Sequence, residues 1–350
     1  MTMNKALVYC IAAASLLQLT ACSLSSIPID VMRPADIFVP QEIKSVAVAN
    51  RSIAGKGHKF TNAVEGLFSG EGIGMDREGS HHCVQGLVDM LQTSPRYSAV
   101  DASSEELEGM GGDGWNTPLE WSKVQEVCEE FKTDALITLA IFDSDARTSV
   151  GAAIEKTRKV EGVTETYYEY PAYLEMDITA GWRIYHPKTE TIVDQNRFTD
   201  SQSFHATGSS ASNAESSLPN QRRATREAGA YAGSQYGYRI SPMWVEVRRQ
   251  YFVKGHDDFK LARVVVKAGD WAQAAELYHP ITKDPVEKVR ARAYFNMALT
   301  CEMQDDLEGA VQWVKKAEDL GLSHAKAYHA VLIQRQADAR RLDKQLPAEE

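Results

Sequence analysis

The sequence lacks the short motifs that mark most enzymes. No Gly-x-Ser-x-Gly occurs, so a hydrolase nucleophile elbow has no support. No Gly-Lys-Ser/Thr follows the glycine-rich stretch "SGEGIGMDREG", so a phosphate loop has none either. Positive charge is in deficit: 38 Lys and Arg stand against 48 Asp and Glu, a net charge of -10. That balance excludes a general nucleic-acid binder, which needs an excess of cations to neutralise phosphates. Five Cys in 350 residues are too few for a disulfide scaffold. The apolar stretch at residues 6–17 is too short to cross a bilayer as a helix, which takes ~20 residues. Apolar residues at 43% and charged residues at 25% are ordinary for a globular protein. At ~100–200 residues per domain, the length fits two or three domains.

The amino terminus reads as an address. Lys5 supplies a positive n-region, residues 6–17 an uncharged apolar core, and small residues follow at 20 and 21. Leu19-Thr20-Ala21-Cys22 resembles the bacterial lipobox. That resemblance implies removal of a signal peptide (residues 1–21), lipidation of Cys22, and attachment to a membrane through the amino-terminal lipid. Several acyl chains anchor far better than one. Ser23 after the Cys, with no acidic cluster, implies the outer membrane and a periplasm-facing body. An ordinary signal peptide that leaves Cys22 free is the alternative.

Residues 22–41 hold Pro28, Pro34 and Pro40 among serines, and are expected to be an extended tether. Residues 42–255 are expected to form an α/β domain. Strands are predicted at 43–50, 97–101, 135–142, 168–178, 179–185 and 191–198, and helices at 80–93, 117–131, 222–235 and 244–252. Residues 51–79 read as a long loop with a short helix at 61–68, and the Ser-rich residues 204–219 as mobile. A bridge between Cys83 and Cys128 is weighed against buried free thiols.

The candidate chemistry is sparse. His81-His82-Cys83 is the most metal-like triplet, but consecutive helical residues point ~100° apart and do not share one ion. Asp143 and Asp145 suit Ca²⁺ or an acid/base pair, or simply a solvated strand end. "GKGHK" (residues 55–59) suits glycan or phosphate, or a solvated loop. Arg222, Arg223 and Arg226 suit acidic neighbours or a partner surface. No cofactor and no metal site is expected.

The last third repeats. "LARVVVKAGDWAQAAELY" at 261–278 aligns with "MALTCEMQDDLEGAVQWV" at 297–314, an offset of 36 residues. Gly269-Asp270 falls on Asp305-Asp306, and Ala274 on Ala310. These features, with Tyr294-Phe295-Asn296, resemble the tetratricopeptide repeat. Residues 256–345 are therefore expected to be tetratricopeptide-like helices with a capping helix. So short an array is expected to pack on the α/β domain through Phe259 and Trp271, unless Trp271 fills the repeats' own core. Its first helices are expected to bind protein through Lys260, Arg292 and Asn296.

Two wider resemblances follow. "VAVAN", "YSAVD" and "TDALITLAIFD" resemble the module in the amino-terminal domain of the TolB translocation protein and in the curli secretion-channel lipoprotein. No long transmembrane hairpin is evident, so channel formation is not expected. "MRPADIFVPQEIKSVAVANRS", "GWRIYHPKTETIVDQ" and "AGAYAGSQYGYRISPMWVEVRRQYFVKG", followed by repeats, resemble an uncharacterised lipoprotein family of Bacteroidetes, across nearly the whole chain after the signal. The expected fold is α+β, a sandwich-like α/β domain followed by an all-α repeat. The expected role is a non-catalytic protein-binding scaffold or assembly adaptor with an envelope protein partner. An envelope glycan- or small-ligand-binding protein, or an enzyme with a cleft between the two domains, is the alternative.

Overall fold

The computed structural model describes residues 23–53, 72–105, 107–109 and 114–346. The chain divides into two units, one built on residues 34–243, the other on residues 244–344 with the chain before Pro34. Mixed α and β structure in the first and mainly helices in the second agree with the expected α+β class.

The first unit is a sheet whose inner, parallel part is covered on both faces. β2 (Ser45–Asn50) is central to a parallel trio with β3 (Ser98–Asp101) and β4 (Ala135–Val150). β6 (Val163–His186) runs antiparallel to β4, and β7 (Thr191–Gly208) antiparallel to β6. α1 (Gly72–Gln92) connects β2 to β3, and α2 (Trp121–Phe131) connects β3 to β4. Val84, Leu87, Val88 and Leu91 of α1 join Val46, Val48, Ile137, Leu139 and Trp182 of the sheet in one apolar cluster. Val124, Val127 and Cys128 of α2 join Ala47, Ala49, Leu136 and Tyr185 in another. Alternate strand residues face opposite sides, so these clusters lie on the two faces of one sheet.

α3 (Ala211–Ser216) and α4 (Gln221–Ile240) complete this unit. α4 packs on α1 at unusually short range because glycines line the contact. A Cβ at Gly233 would lie 1.9 Å from the Cys83 carbonyl oxygen, and one at Gly86 2.1 Å from that of Ala230. The Tyr236 ring of α4 stacks on Trp182 of β6 with centroids 5.2 Å apart.

The second unit pairs β1 (Leu24–Arg33) with β8 (Met243–Phe252) and adds five helices. These are α5 (Asp257–Lys267), α6 (Trp271–Tyr278), α7 (Glu287–Met303), α8 (Leu307–Asp319) and α9 (Ala325–Gln345). The 36-residue offset is visible in the turns. Gly269 and Asp305 both take left-handed backbones, at φ 76° and 61°. Asp270 and Asp306 then cap the next helices by accepting from the backbone N–H of Gln273 and Gly309.

Several sequence expectations are corrected. Residues 22–41 are not a free tether over their described part: Ile29 and Val31 of β1 are buried, as are Ala35 and Val39 beyond it. Residues 244–252 are strand, not helix. The helix expected at 80–93 starts at Gly72, so Gly72 and Gly74 belong to its first turns; Gly70 lies outside the described residues. Residues 168–185 form part of one strand. The Ser-rich segment is ordered as the end of β7 and as α3, capped by Ser210. Cys83, Cys128 and Cys301 are buried free thiols, and Cys83 and Cys128 lie in the clusters on opposite sheet faces, which excludes a bridge. Phe259 and Trp271 sit in the helical unit's own core with Tyr251. The helix expected at 61–68 lies outside the described residues.

Candidate functional site

The three residues expected to bind a partner on the first helices have different fates. Lys260 is exposed and paired with Asp257 at 2.9 Å. Arg292 donates from Nη1 to the Lys254 carbonyl at 2.8 Å and lies 5.1 Å from the Phe252 ring. Asn296 is 0% exposed. Its Oδ1 accepts from Phe252 N–H and its Nδ2 donates to Phe252 C=O, each at 2.8 Å. A partner's backbone therefore has no access to this amide: the chain's own strand β8 takes both of its bonds.

β8 is locked to α7 at a second point. Arg249, largely buried, reaches the buried Glu302 at 2.8 Å. The Tyr328 hydroxyl donates to Glu302 Oε2 at 2.6 Å. A buried carboxylate needs such partners. Phe252 packs edge-on to Phe295 at 5.4 Å. The inner surface of α7 is consequently covered, and Ala291, Ala293, Phe295, Met297 and Leu299 are all buried.

The remaining sequence candidates also resolve. His81 is exposed, and no cluster of His, Cys, Asp and Glu fit to hold a metal exists among the described residues. Asp143 and Asp145 are not at a strand end, because β4 continues to Val150. Asp145 lies across from Asp177, which is paired with Arg147 at 2.6 Å. Between them, Ser144 donates to Asp76 of α1. Burial pushes the Asp76 carboxyl up to about 6, opposed by the Ser144 hydrogen bond and aided by the charges of Asp143 and Asp145. Arg222 and Arg226 both reach Glu78, at 3.5 and 3.2 Å, and Arg223 pairs with Glu227. Their role is intramolecular pairing. Residues 55–59 and Cys22 lie outside the described residues.

One shallow polar recess of about 520 Å³ lies beside the end of α2, lined by Gln125, Cys128, Glu129, Lys132, Thr133, Asp134, Pro187 and Lys188. Burial holds the Cys128 thiol up at about 11, so it is no nucleophile at neutral pH.

The most exposed regular structure was missed from the sequence. After Val150, β5 (Ile154–Val160) continues along β6, and the two strands close through Glu161 and Gly162. Both turn residues have positive φ, 51° and 86°, as a two-residue type I′ hairpin turn requires. β7 stops pairing at Gly208, opposite Tyr170. From there outward β5 and β6 form a two-stranded arm of seven residue pairs, about 24 Å long at ~3.4 Å per residue. All of β5 and residues 163–168 of β6 are exposed, including Ile154, Val163, Tyr167 and Tyr168. Lys156–Glu169 and Arg158–Glu165 ion pairs cross it. Charged residues interrupt both faces, so neither is an unbroken apolar band. The signal for the arm was the Glu-Gly turn between runs of Thr, Tyr and Val.

A family model described as a domain of unknown function (DUF8603) matches residues 43–252, the sheet unit through to the end of β8. A second, also a domain of unknown function (DUF6340), matches residues 260–339, the helices. No curated protein matches the sequence. With well over half its length inside the first model, the chain belongs to the DUF8603 family.

Proposed function

We propose that the chain is a non-catalytic protein-binding scaffold or assembly adaptor of the cell envelope, held at the outer membrane by lipid on Cys22 and facing the periplasm. Its helices are read as a tetratricopeptide-like array whose repeat is supported by the matched turns at Gly269-Asp270 and Asp305-Asp306. The observation that carries the reading is the β5–β6 arm. An isolated two-stranded hairpin is marginal in water, and this one leaves the outer backbone edge of each strand without a strand partner among the described residues. Such an edge is a ready template for an added strand, with main-chain hydrogen bonds for affinity and the exposed tyrosines for contact area. The envelope partner docks on the arm, and not on the covered face of α7.

The test is in-cell photocrosslinking from native membranes, with the crosslinker at Tyr168 or at Lys260, followed by mass spectrometry. One reproducible envelope protein captured from Tyr168 and not from Lys260 supports the reading, provided it no longer co-purifies with the tagged chain when Asn-Gly replaces residues 152–170. Gly151 N–H already donates to Pro171 C=O at 2.8 Å, so this truncation closes on an existing pair. Capture of nothing from Tyr168 refutes the arm. A Cys22→Ser chain that still fractionates with the outer membrane refutes the anchor.

A further inference from the structure

The buried carboxylates among the described residues are each matched to an arginine. Asp194 is held by Arg239 at 2.8 Å, and Glu302 by Arg249 at 2.8 Å. Arg96, also buried, spends its donors on the carbonyls of Gln345, Val39 and Pro40 and feels Glu42. Arg51 and Arg183 differ. They are 9% and 3% exposed, and the Arg183 charge lies close enough to Arg51 to lower its pKa. Among the described residues, no carboxylate pairs with either.

Their acceptors are neutral. Arg51 donates from Nε to the Glu108 carbonyl and from Nη1 to that of Thr117. Arg183 donates from Nε to Gln195 Oε1 and from Nη1 to the Asn116 carbonyl and the Tyr185 hydroxyl. Arg51 also makes a side-chain hydrogen bond with Tyr185, so this neutral hydroxyl faces both guanidinium groups. Burial lowers the Arg51 pKa from its ordinary value, and the Arg183 charge adds to that against Tyr185.

A third group points the same way. Thr138 lies opposite Arg183 on β6 and opposite Ala49 on β2, so its side chain shares their face of the sheet. It is 0% exposed, and its hydroxyl has no hydrogen-bond partner among the described residues. Two residues beyond Ala49, Arg51 follows the end of β2 on the same face. Small residues flank these groups: Ala49 and Ala140 are buried, and Gly181 lies against Ile141.

We propose that Arg51, Arg183 and Thr138 bind a small tetrahedral oxyanion of the phosphate or sulfate class at the end of β2. Two like charges in a desolvated setting are costly without a counter-charge. Guanidinium forks match oxyanion geometry, and the two guanidinium groups with the unpartnered Thr138 hydroxyl bring donors from three strands or strand ends. The Trp115 ring, 5.2 Å from the Arg183 guanidinium, and the Asn116 backbone hold Arg183 in place for this.

The test is calorimetric titration of the detergent-solubilised full chain with inorganic phosphate, in phosphate-free buffer at constant ionic strength. Glucose 6-phosphate, run in parallel, separates a free ion from a phosphate carried on a larger molecule. Saturable binding of one phosphate per chain is expected, with affinity about tenfold weaker in Arg51→Gln and in Arg183→Gln, as loss of a charged hydrogen bond implies. Thr138→Val keeps the shape and removes only the unpartnered hydroxyl. It is expected to fold at least as stably as the parent and to bind phosphate about threefold more weakly. If an arginine variant does not fold, Thr138→Val and the other arginine decide the matter. The absence of saturable binding by the parent chain overturns the proposal. So does parental affinity in Thr138→Val and the folded arginine variants.

Discussion

Replacing Asn296 by Ala tests the self-occupied face of α7 most directly. The Asn296 amide is the partner of both backbone groups of Phe252, at 2.8 Å each, and Asn296 and Phe252 are both buried. Alanine leaves one N–H and one C=O without partners and out of reach of water. Each such group costs ~1–3 kcal/mol. With some relaxation of β8, a loss on the order of 2–4 kcal/mol is expected from the helical unit, a large share of an ordinary domain's stability. The assay is urea unfolding followed by far-UV circular dichroism. The two units unfold as separate transitions where they are independent, so the loss is read on the helical one. If Asn296 were a surface contact for a partner, the variant would lose binding and keep its stability. A stability loss below ~1 kcal/mol in the helical transition would refute the reasoning.

Other consequences are as specific. Gly233→Ala places a methyl 1.9 Å from the backbone oxygen of Cys83, which cannot rotate away. Helix propensity favours Ala by up to ~1 kcal/mol, but overpacking costs about 1–3 kcal/mol or more, so a net loss in thermal stability is expected. Asp76 has a folded pKa raised from 3.8 to about 6. Its protonated form is favoured in the fold, so its stability contribution is full below pH ~4 and is lost as pH rises through 6. Asp76→Asn should therefore gain on the parent chain between pH 4 and 6.5, by on the order of 1–2 kcal/mol once solvent screening is allowed for; a constant difference across that range would contradict it. Cys83, Cys128 and Cys301 should stay silent to a thiol reagent in the native protein and react only on unfolding, since burial raises the pKa of all three.

The elements legible in the sequence were those whose periodicity belongs to one face. Val46 and Val48 alternate, Val84, Leu87, Val88 and Leu91 follow a helical spacing, and Ala135 to Phe142 is an apolar run buried on both sides. β8 was misread for a physical reason. Trp244, Val247 and Tyr251 fall at helical spacing, but the inward row is Val245, Val247, Arg249 and Tyr251. One member of that row is an arginine, satisfied by Glu302 some fifty residues on, a partnership no local window contains. β1 hid itself similarly, with Ser26, Pro28 and Asp30 outward and Ile29 and Val31 inward. The arm has no buried face at all, so no alternation marks it. Asn296 looked like an exposed polar helix residue because its partner, Phe252, is distant in sequence. The repeat turns were readable because Gly-Asp and Asp-Asp impose their geometry locally.

Two helical hairpins and a last helix are fewer than the ~3 repeats usually needed to bury a continuous core. The helical unit makes up the deficit with its own strand. Tyr251 joins Phe259, Val266 and Tyr278 in one cluster, and Phe252 joins Phe295, Val314 and Leu332 in the next, so adjacent residues of β8 serve successive parts of the core. The strand cannot leave without exposing both clusters and stranding Glu302, a buried carboxylate that would then lack Arg249. Breaking one partner of a buried ion pair costs about 3–5 kcal/mol, to which the unpaired Asn296 amide and the two aromatic rings add. No extended peptide of ordinary affinity competes with that from solution. The proposed recognition is therefore assigned to the β5–β6 arm, whose strand edges are already open, and not to the face that β8 covers.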